Sequence, residues 1–445
     1  MSLVAALRAR SIRPLIDEAA RSYTRPLDHE QRHAAMLDRL NAVWATAIRH
    51  TPRYRKMYEA GTVPERFESL QEYADTVPPL TKQDMRGNTD ELTDERRPAE
   101  NSFTTGGSTG RPTSIPGWHA ERQFDLANRW LGRSFYAITP SDSLFLIWGH
   151  HHLLGSGWKG KAKGRIRSIK DALLGLTRFS AYDISEERCE EAGRLILRRK
   201  PQYIIGYSST LDLLARTQSH RASEFAQIGL KATIATAEVY PSSDSRKRIA
   251  ETFGCPAAME YGTVETGVMA YTHPSGGFRV FWRDHLFELG EPGPGGGRVL
   301  RITSLYERKT PLIRYEIGDE IMPFEGEPLI GPARITSVLG RVNSIVTLID
   351  GKAVHTAAIS RAISDREDVR QFQIIDRPDG LCLKIVAATN EAKPQILNHV
   401  RRNLAKLSPT LSEAPVVFVS RIQQTKAGKT PLVVQKSDPD EINHE

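Results

Sequence analysis

The chain has 445 residues, of which 39% are hydrophobic and 26% are charged, and its formal net charge is +8. The length is sufficient for a large core and predicts two domains, and the composition is typical of a globular protein in water. No run of 18 apolar residues occurs, so no transmembrane helix is expected. The net charge suits anionic small molecules and nucleic acid equally well and does not discriminate between them.

The sequence contains three widely separated cysteines, Cys189, Cys255 and Cys382. Their spacing matches neither a CxxC motif nor a metal site, which predicts a reducing compartment, taken here as the cytoplasm, and no disulfide framework. The first 23 residues are rich in arginine, as in a transit peptide, but they include Asp17 and Glu18 and lack the apolar core of a signal peptide. We predict an amphipathic helix in this segment.

Further along the chain, residues 29–50 place apolar side chains at helical spacing, and this helix is expected to end before Pro52. The segment 76–85, TVPPLTKQDM, is predicted to be a loop. From residue 121, short apolar runs alternate with helical patterns, which predicts βαβ units around a parallel or mixed sheet. The predicted strands are 142–148, 201–207 and 231–240, and the predicted helices are 186–200 and 242–254.

The character of the sequence changes after residue 286, where strand-like runs are joined by Gly and Pro turns and predict a more antiparallel subdomain. A boundary is expected near Gly340. The last hundred residues predict a small α/β module, followed by a polar tail at 436–445. The strands predicted in this module are 344–350, 382–389 and 415–421, and the helices are 356–364 and 393–407.

Residues 104–112, TTGGSTGRP, combine three glycines with four hydroxyl side chains. Glycines let backbone N–H groups wrap around an anion and hydroxyls add further donors, so this stretch predicts a polyphosphate site. It is not a Walker A motif, which requires GxxxxGK[ST]. The segment 155–162, GSGWKGKA, comes close to that motif but has Ala162 where Ser or Thr must hold the metal ion. The run 290–298, GEPGPGGGR, predicts a turn.

Four further motifs follow the glycine stretch in order: EYGTVET at 260–266, LIRYEIGDE at 312–320, LGRVN at 339–343 and TKAGKT at 425–430. This ordered set resembles the adenylate-forming superfamily of acyl-CoA synthetases, luciferases and peptide-synthetase adenylation domains. The opening TVPPLTK and the short chain are most similar to the branch of phenylacetate-CoA ligases and capsular-polysaccharide CapK-like proteins. The resemblance covers the chain from about residue 45.

The resemblance implies an α/β fold with two domains. A large N-terminal domain, 1–338, is expected to contain mixed sheets with helices and a β-rich subdomain, and to bind ATP and the acid. A hinge at 339–343 is expected to connect it to a small, mobile α/β lid domain at 344–445. The hinge carries Asn343 where the family usually has Asp or Lys, and Asn tolerates the unusual backbone angles of a hinge.

The activity implied by the resemblance is that of an AMP-forming ligase. With ATP and Mg²⁺ it would convert a small carboxylic acid to an acyl-AMP, release pyrophosphate and pass the acyl group to an acceptor. The acceptor is left open between the thiol of CoA, which would then be a further cofactor, and an amine. The alternative is a catalytically idle relative that binds a nucleotide or nucleic acid, and the retained set of site residues argues against it.

Other partners follow from the same reasoning. Nucleic acid is not expected, because the basic segment 157–170 contains a single aromatic residue, Trp158, and nucleic-acid sites interleave basic with aromatic side chains. This basic segment could instead receive the phosphates of CoA or another acidic acceptor, or it is a solvated loop. The protein is expected to be a monomer or a homodimer.

The resemblance also assigns roles to individual residues. Those implied to cradle the β and γ phosphates of ATP are Thr104, Thr105, Gly106, Gly107, Ser108, Thr109 and Gly110. Those implied to bind other parts of the nucleotide are Ala237 and Glu238, in TAEV where many relatives carry GAEP before the adenine pocket, and Tyr261, Gly262 and Thr263, with Tyr261 against adenine. A flat tyrosine ring suits a position against adenine.

Four charged residues complete the implied site. Asp319 would bind both ribose hydroxyls, and Arg341 would reach the ribose and the phosphates. Glu265 would hold Mg²⁺, a hard cation that prefers oxygen ligands. Lys429 would bridge the substrate carboxylate and the α-phosphate. Val264 stands where the family usually has Thr directly before the acid, which places a hydroxyl contact to the α-phosphate in question.

The acyl pocket is predicted only in outline. Three consecutive histidines, His150, His151 and His152, cannot all bind one metal ion from a strand, because neighbouring side chains point to opposite faces. The resemblance implies that one of the three borders the acyl pocket, without indicating which one. The aromatic residues considered for a pocket that binds an aromatic acid are Phe135, Trp148 and Tyr207. Aromatic residues in strands are more often part of the core.

Overall fold

The structure is a computed structural model. It describes residues 3–24, 27–104, 114–148, 171, 173–181, 186–341, 345–350, 353–364, 366, 368–377, 379–422 and 430–435. The chain divides into two compact units. The first unit comprises Met1–Leu7, Ser141–Ala258 and Asn343–Glu445, and the second comprises Arg8–Pro140 and Met259–Val342.

The elements are numbered in chain order. The α-helices are Leu3–Thr24 (α1), His29–His50 (α2), Pro52–Glu59 (α3), Leu70–Thr76 (α4), Lys82–Gly87 (α5), Arg122–Ser134 (α6), Glu186–Arg199 (α7), Ser208–Gln218 (α8), Ala222–Ala226 (α9), Ser245–Phe253 (α10), Thr356–Ser364 (α11), Lys393–Leu407 (α12) and Pro409–Ser412 (α13). The strands are Asn101–Thr104 (β1), Ser114–Gly117 (β2), Leu144–Trp148 (β3), Leu176–Ser180 (β4), Tyr203–Tyr207 (β5), Ala232–Thr236 (β6), Ala257–Thr263 (β7), Gly267–Thr272 (β8), Phe278–Val280 (β9), His285–Pro292 (β10), Arg298–Ser304 (β11), Tyr315–Pro323 (β12), Arg334–Arg341 (β13), Ile345–Thr347 (β14), Ala353–His355 (β15), Val369–Arg377 (β16), Gly380–Ala387 (β17), Val416–Phe418 (β18) and Val433–Gln435 (β19). The predicted α/β class is confirmed.

The helices near the start of the chain follow their sequence patterns. Helix α2 has the predicted bounds, with Asp28 as its N-cap accepting a hydrogen bond of 2.8 Å from the backbone N–H of Gln31. It ends where Pro52 begins α3, because the residue before a proline disfavours helical geometry. The predicted loop 76–85 was partly wrong, since α5 begins at Lys82 behind a capping box that Thr81 forms with Asp84.

The second unit contains an antiparallel sheet with the strand order β7-β8-β9-β13-β12-β11-β10. The predicted onset of antiparallel structure at residue 286 is too late, because β7 and β8 already form a hairpin across residues 264–266. The glycine-rich turn predicted at 290–298 is present between β10 and β11. The buried carboxylate of Glu320 stabilises it by accepting bonds of 3.0 and 2.6 Å from the N–H groups of Gly295 and Gly297.

In the first unit, β3, β4, β5 and β6 form a parallel sheet in the order β4-β3-β5-β6, with α7 and α8 on the chain between its strands. The apolar runs and helical patterns predicted between residues 142 and 254 are therefore confirmed as elements. The nearly continuous apolar character of the strand sequences is typical of parallel strands covered on both faces. Every residue of Tyr203–Tyr207 is buried.

The C-terminal part of the first unit has a hydrophobic core of its own, in which Ile374, Leu383, Ile396 and Val400 are fully buried. Its sheet has the order β18-β17-β16-β19, and helices α11 and α12 have the predicted bounds. Strands β16 and β19 were not predicted. They pair in parallel although about sixty residues separate them, a long-range pairing that leaves no local pattern.

Strand β13 runs through Arg341, so residues 339–341 of the predicted hinge are extended, and the rest of that hinge lies outside the described residues. The limits of the two predicted domains stay a prediction. Within the first unit, Arg216 of α8 donates hydrogen bonds to the carbonyl oxygens of Arg366 and Val369 at 3.3 and 3.2 Å. Over the described ranges, none of the helices has the length and apolar character needed to cross a bilayer.

Candidate active site

The hairpin between β7 and β8 carries four residues of the predicted nucleotide site. Tyr261, Gly262 and Thr263 form the end of β7, and Glu265 lies in the turn that follows. The turn needs glycine at position 262, because a Cβ atom there would lie 2.2 Å from the carbonyl oxygen of Gly267 on the opposite strand. Gly267 has a φ angle of +69°, which glycine adopts without strain.

Tyr261 and Asp319 are brought together by the antiparallel sheet. The hydroxyl of Tyr261 donates a hydrogen bond of 2.9 Å to Oδ2 of Asp319, although 58 positions separate the two residues. Both side chains are buried, with 7% and 6% of their surface exposed. Asp319 on β12 is also the register partner of Arg341 on β13, which places the backbones of these two predicted residues directly opposite each other.

Thr263 is committed to the turn itself. Its hydroxyl lies 3.1 Å from the hydroxyl of Thr266 and accepts a hydrogen bond of 3.2 Å from the backbone N–H of that residue. Val264, at the position where the family has Thr, has 49% of its surface exposed. The hydroxyl one step before Val264 therefore stabilises the hairpin tip.

Glu265 is buried, with 5% of its surface exposed, and its surroundings are basic. Its Oε1 atom lies 3.8 Å from Nζ of Lys82, the first residue of α5, and its carbonyl oxygen accepts a hydrogen bond of 2.6 Å from Nη2 of Arg308. Neither cation was predicted as part of the site. Lys82 lies in the TVPPLTK segment, and the resemblance of that segment to the family could have pointed to it. Arg308 lies in none of the motifs, so the sequence offered no signal for it.

The fit of a metal ion can be judged from these donors. In the part of the chain that the structure describes, no three His, Cys, Asp or Glu side chains are grouped so that they could share a metal ion. Mg²⁺ is commonly held by one or two carboxylates and completes its shell with water and substrate phosphates. A single buried carboxylate at Glu265 is compatible with that mode of binding.

Two aromatic residues near Arg308, His285 and Tyr306, have strongly shifted pKa values. Burial, and secondly the charge of Arg308, lowers the pKa of His285 to about 3, so the imidazole is neutral. Burial also raises the pKa of Tyr306 to about 12, with Arg308 opposing this shift. The ring of Tyr306 stacks on Phe124 with 4.1 Å between centroids. The neutral rings of His285 and Tyr306 lie next to each other, with 6.0 Å between centroids, and the Tyr306 hydroxyl accepts a hydrogen bond from Arg308.

In the first unit, the TAEV segment lies against the start of α8. Oε2 of Glu238 accepts a hydrogen bond of 2.6 Å from the hydroxyl of Ser209, and the carbonyl oxygen of Glu238 accepts one of 2.6 Å from the hydroxyl of Ser208. Ala237 has a φ angle of +69°, a left-handed backbone conformation that costs a non-glycine residue of the order of 1–3 kcal/mol. Residues with such strained conformations are concentrated at functional sites. The two residues of this unit that were predicted to bind the nucleotide, Ala237 and Glu238, thus have a defined backbone conformation and defined hydrogen bonds.

The aromatic candidates for the acyl pocket separate into two groups. Trp148 and Tyr207 pack together in the first unit, with 4.4 Å between ring centroids. Phe135 belongs to the second unit, where its ring contacts His273 and Phe281. Phe135 is half-buried there, and its place in an acyl pocket stays a prediction.

Several predicted residues fall outside the described residues. They are Thr105, Gly106, Gly107, Ser108, Thr109 and Gly110 of the glycine stretch, His150, His151 and His152, the basic segment 157–170, Asn343 and Lys429. Thr104 ends β1 and pairs with Ser114, so the backbone enters the glycine stretch from an antiparallel hairpin. For Thr104 and Arg341 only the backbone is described.

The architecture is similar to that of solved CoA ligases. A crystal structure of 2-hydroxyisobutyryl-CoA ligase in the postadenylation state, in complex with R3-HIB-AMP, aligns with a TM-score of 0.69 at 20% sequence identity, covering 92% of this chain and 90% of that chain. An open conformation of the same ligase, in complex with 2-HIB-AMP and CoA, aligns with a TM-score of 0.55 at 20% identity, covering 93% and 96%. The chain has the fold of adenylate-forming CoA ligases.

Among curated proteins, CapK of Staphylococcus aureus is 21% identical to this chain over 380 residues, which cover 80% of this chain and 79% of CapK. No protein family model matches the chain. The predicted resemblance is confirmed as a shared fold with adenylate-forming CoA ligases and as a distant sequence similarity to CapK.

Proposed function

We propose that the protein is an AMP-forming ligase. It would activate a small-molecule carboxylic acid with Mg·ATP to an acyl-AMP, release pyrophosphate and transfer the acyl group to a thiol or an amine. The observation that carries this proposal is the hydrogen bond between Tyr261 and Asp319, with Glu265 four residues beyond Tyr261 on the same hairpin. Solved ligases of the same fold contain an acyl-AMP.

The nucleoside would be bound at the Tyr261–Asp319 pair. Tyr261 presents a flat ring whose hydroxyl is tied to the carboxylate, and this holds both groups in place before ATP binds. A carboxylate offers about four lone-pair sites, so Asp319 can keep the Tyr261 bond while it accepts hydrogen bonds from ribose hydroxyls. Arg341, opposite Asp319 on the next strand, would reach the ribose and the phosphates.

The phosphates would be bound by the glycine stretch 104–110 and by Glu265. Backbone N–H groups and hydroxyls of the glycine stretch supply neutral donors to the β and γ phosphates. When bound, Mg²⁺ neutralises charge on the phosphate oxygens and favours the departure of pyrophosphate. Lys82, 3.8 Å from the Glu265 carboxylate, adds a cation at this end of the site.

Lys429, which lies outside the described residues, would supply the remaining cation. The substrate carboxylate and the α-phosphate are both anionic, so their approach requires a positive charge between them in a site with little water. The small domain, 344–445, would bring Lys429 to the site for adenylation and rotate about the hinge 339–343 for acyl transfer. This domain division is part of the proposal.

The acceptor distinguishes two versions of the proposal. A solved ligase of this fold binds CoA, which favours a thiol, whereas the resemblance to the CapK-like branch leaves an amine open. The basic segment 157–170 would receive the phosphates of CoA in the first version. In the second version the product is an amide, and CoA has no role.

The test of the proposal is hydroxylamine trapping. Aryl and aliphatic acids are incubated with the protein, Mg·ATP and hydroxylamine, and hydroxamate and pyrophosphate are measured. At least one acid is expected to give both products. If no acid yields hydroxamate while ATP binds tightly, the protein is a nucleotide-binding relative without ligase activity. Once the acid is known, a comparison of CoA with a panel of amines identifies the acceptor.

Lys429→Ala tests the role of the lysine. The adenylation rate is expected to fall by roughly 10²–10³-fold, the effect of removing one electrostatic stabiliser of a transition state, while ATP binding is retained. Transfer from acyl-AMP supplied ready-made should survive. Lys426→Ala, three positions away in the same segment, is the matched control and is expected to adenylate normally. Near-normal adenylation by Lys429→Ala would refute the assigned role.

A further inference from the structure

Arg308 is a buried arginine with no role in the site predicted from the sequence. It follows β11, and its side chain has 4% of its surface exposed. Its guanidinium contacts three parts of the second unit. Nε lies 3.2 Å from Oε2 of Glu121, Nη1 donates to the hydroxyls of Ser304 and Tyr306 at 3.2 and 3.3 Å, and Nη2 donates to the carbonyl oxygen of Glu265 at 2.6 Å.

The position of Arg308 depends on Glu121, which precedes α6. The Glu121 carboxylate is equally buried, and its Oε1 atom accepts hydrogen bonds from the backbone N–H groups of Trp118 and Lys309 at 2.7 and 3.0 Å. The two charges neutralise each other in the interior. The contact with Glu121 is an ion pair in which Nε and Oε2 make no hydrogen bond among the described residues, and the planar guanidinium is oriented by the hydrogen bonds of Nη1 and Nη2.

The turn that bears Glu265 is bonded at three places. Arg308 binds the carbonyl oxygen of Glu265, and the Oδ1 atom of Asp125 accepts a hydrogen bond of 3.0 Å from the N–H of Val268. Between them, the Thr263 and Thr266 hydroxyls hold the tip together. Of these three restraints, Arg308 alone acts on the backbone of Glu265 itself.

A carboxylate that must meet a cation and a nucleotide at one point has to be held within about half an ångström of the productive geometry by groups behind it. The tip of a hairpin is otherwise a mobile place for such a residue, and Val264 beside Glu265 is half exposed. We propose that Arg308, held by Glu121, is a positioning residue that fixes the backbone of Glu265 and thereby the divalent-cation affinity of the nucleotide site. This inference rests on the proposed function, because it takes Glu265 to meet Mg·ATP.

The inference is tested by binding rather than by activity. Mn²⁺ is used as the probe, and its binding to the full-length protein in the presence of ATP is measured from the loss of the electron paramagnetic resonance signal of free Mn²⁺. Arg308→Met retains an unbranched apolar stem and removes every donor. It is expected to weaken Mn²⁺ binding by roughly 10–100-fold, the effect of losing a group that orients a metal ligand. Arg308→Lys retains one cationic donor and is expected to recover part of the affinity.

The matched control is Arg301→Met. Arg301 lies on the neighbouring strand β11 and is also paired with carboxylates, Glu288 at 3.2 Å and Glu291 at 2.7 Å, but none of its hydrogen bonds among the described residues reaches the Glu265 turn. It is expected to lower thermal stability and leave Mn²⁺ binding per folded molecule unchanged. A merely structural Arg308 would behave in the same way.

The outcomes separate this inference from the proposed function. If the wild-type protein binds Mn·ATP and Arg308→Met binds it equally well, or loses no more than Arg301→Met, the positioning role is wrong and the proposed function stands. If the wild-type protein binds no Mn·ATP, both are wrong. If Arg308→Met does not fold, Arg308→Lys and Glu121→Gln carry the test, and wild-type affinity in both overturns the inference.

Discussion

Tyr261→Phe removes the hydroxyl that binds Asp319 and retains the aromatic ring. The bond is 2.9 Å long and both side chains are more than nine-tenths buried, so solvent does not replace it when the hydroxyl is lost. A hydrogen bond to a charged group contributes about 1.5–3 kcal/mol to stability, and the free energy of unfolding is expected to fall by this amount. Tyr73→Phe is the reference, because the hydroxyl of Tyr73 lies 2.7 Å from the neutral hydroxyl of Thr303 in an equally buried place.

A neutral hydrogen bond is worth about 0.5–1.5 kcal/mol, so Tyr73→Phe should cost clearly less than Tyr261→Phe. The two variants should differ more strongly when ATP is added. At a concentration one hundred times its Kd, ATP stabilises a protein that binds it by about 2.7 kcal/mol. If loosening Asp319 weakens ATP binding tenfold, Tyr261→Phe loses about 1.3 kcal/mol of that stabilisation, whereas Tyr73→Phe loses none.

The assay is urea unfolding with and without ATP, followed by fluorescence for the wild-type protein, the two Phe variants, Asp319→Asn and the double variant Tyr261→Phe/Asp319→Asn. The double-mutant cycle isolates the coupling between the two residues, which is expected at about 1–3 kcal/mol for a buried pair in contact. If Tyr261→Phe costs no more than Tyr73→Phe and keeps the full stabilisation by ATP, the reasoning on this pair is refuted.

Three further predictions concern the scaffold. Gly262→Ala places a methyl group 2.2 Å from a backbone oxygen across the hairpin and should lower the melting temperature and abolish adenylation, whereas Gly87→Ala, where a Cβ meets no atom within 4 Å, should be tolerated in both assays. Arg216→Met leaves the Val369 carbonyl oxygen without its donor, while Asp212 keeps its ion pair with Arg248. The free energy of unfolding in urea should fall by about 1–3 kcal/mol. An unchanged urea midpoint would contradict this. Burial lowers the pKa of His285 from 6.5 to about 3, so below pH 6.5 the unfolded chain binds a proton that the folded protein does not. The free energy of unfolding should therefore decrease as the pH is lowered from 6.5 towards 3, by up to about 1.4 kcal/mol per pH unit from this group. This dependence on pH should be weaker in His285→Gln.

The local elements of this protein could be predicted from its residues. Helix α2 and the strands Leu144–Trp148 and Tyr203–Tyr207 are present where their apolar patterns indicated, because a side chain's place on a helix or strand depends on spacing along the chain alone. The candidate site residues on the β7–β8 hairpin and on β12 were predicted from short motifs. Each motif is a contiguous run, so its recognition needs no knowledge of the fold.

The contacts between these elements were decided by tertiary structure. The bond from Tyr261 to Asp319 depends on the pairing and register of strands that are far apart in sequence. Register follows from the hydrophobic patterns of both partner strands and from turn geometry, so the sequence of one strand does not determine it alone. The commitment of Thr263 to Thr266 could not be predicted, since the motif does not indicate which partner folding gives to a hydroxyl. Arg308 is one of 61 Lys and Arg residues, and burial against Glu121 is what distinguishes it from a solvated side chain. A charged residue's role is determined by the partners that folding places around it, and those partners are distant in the chain.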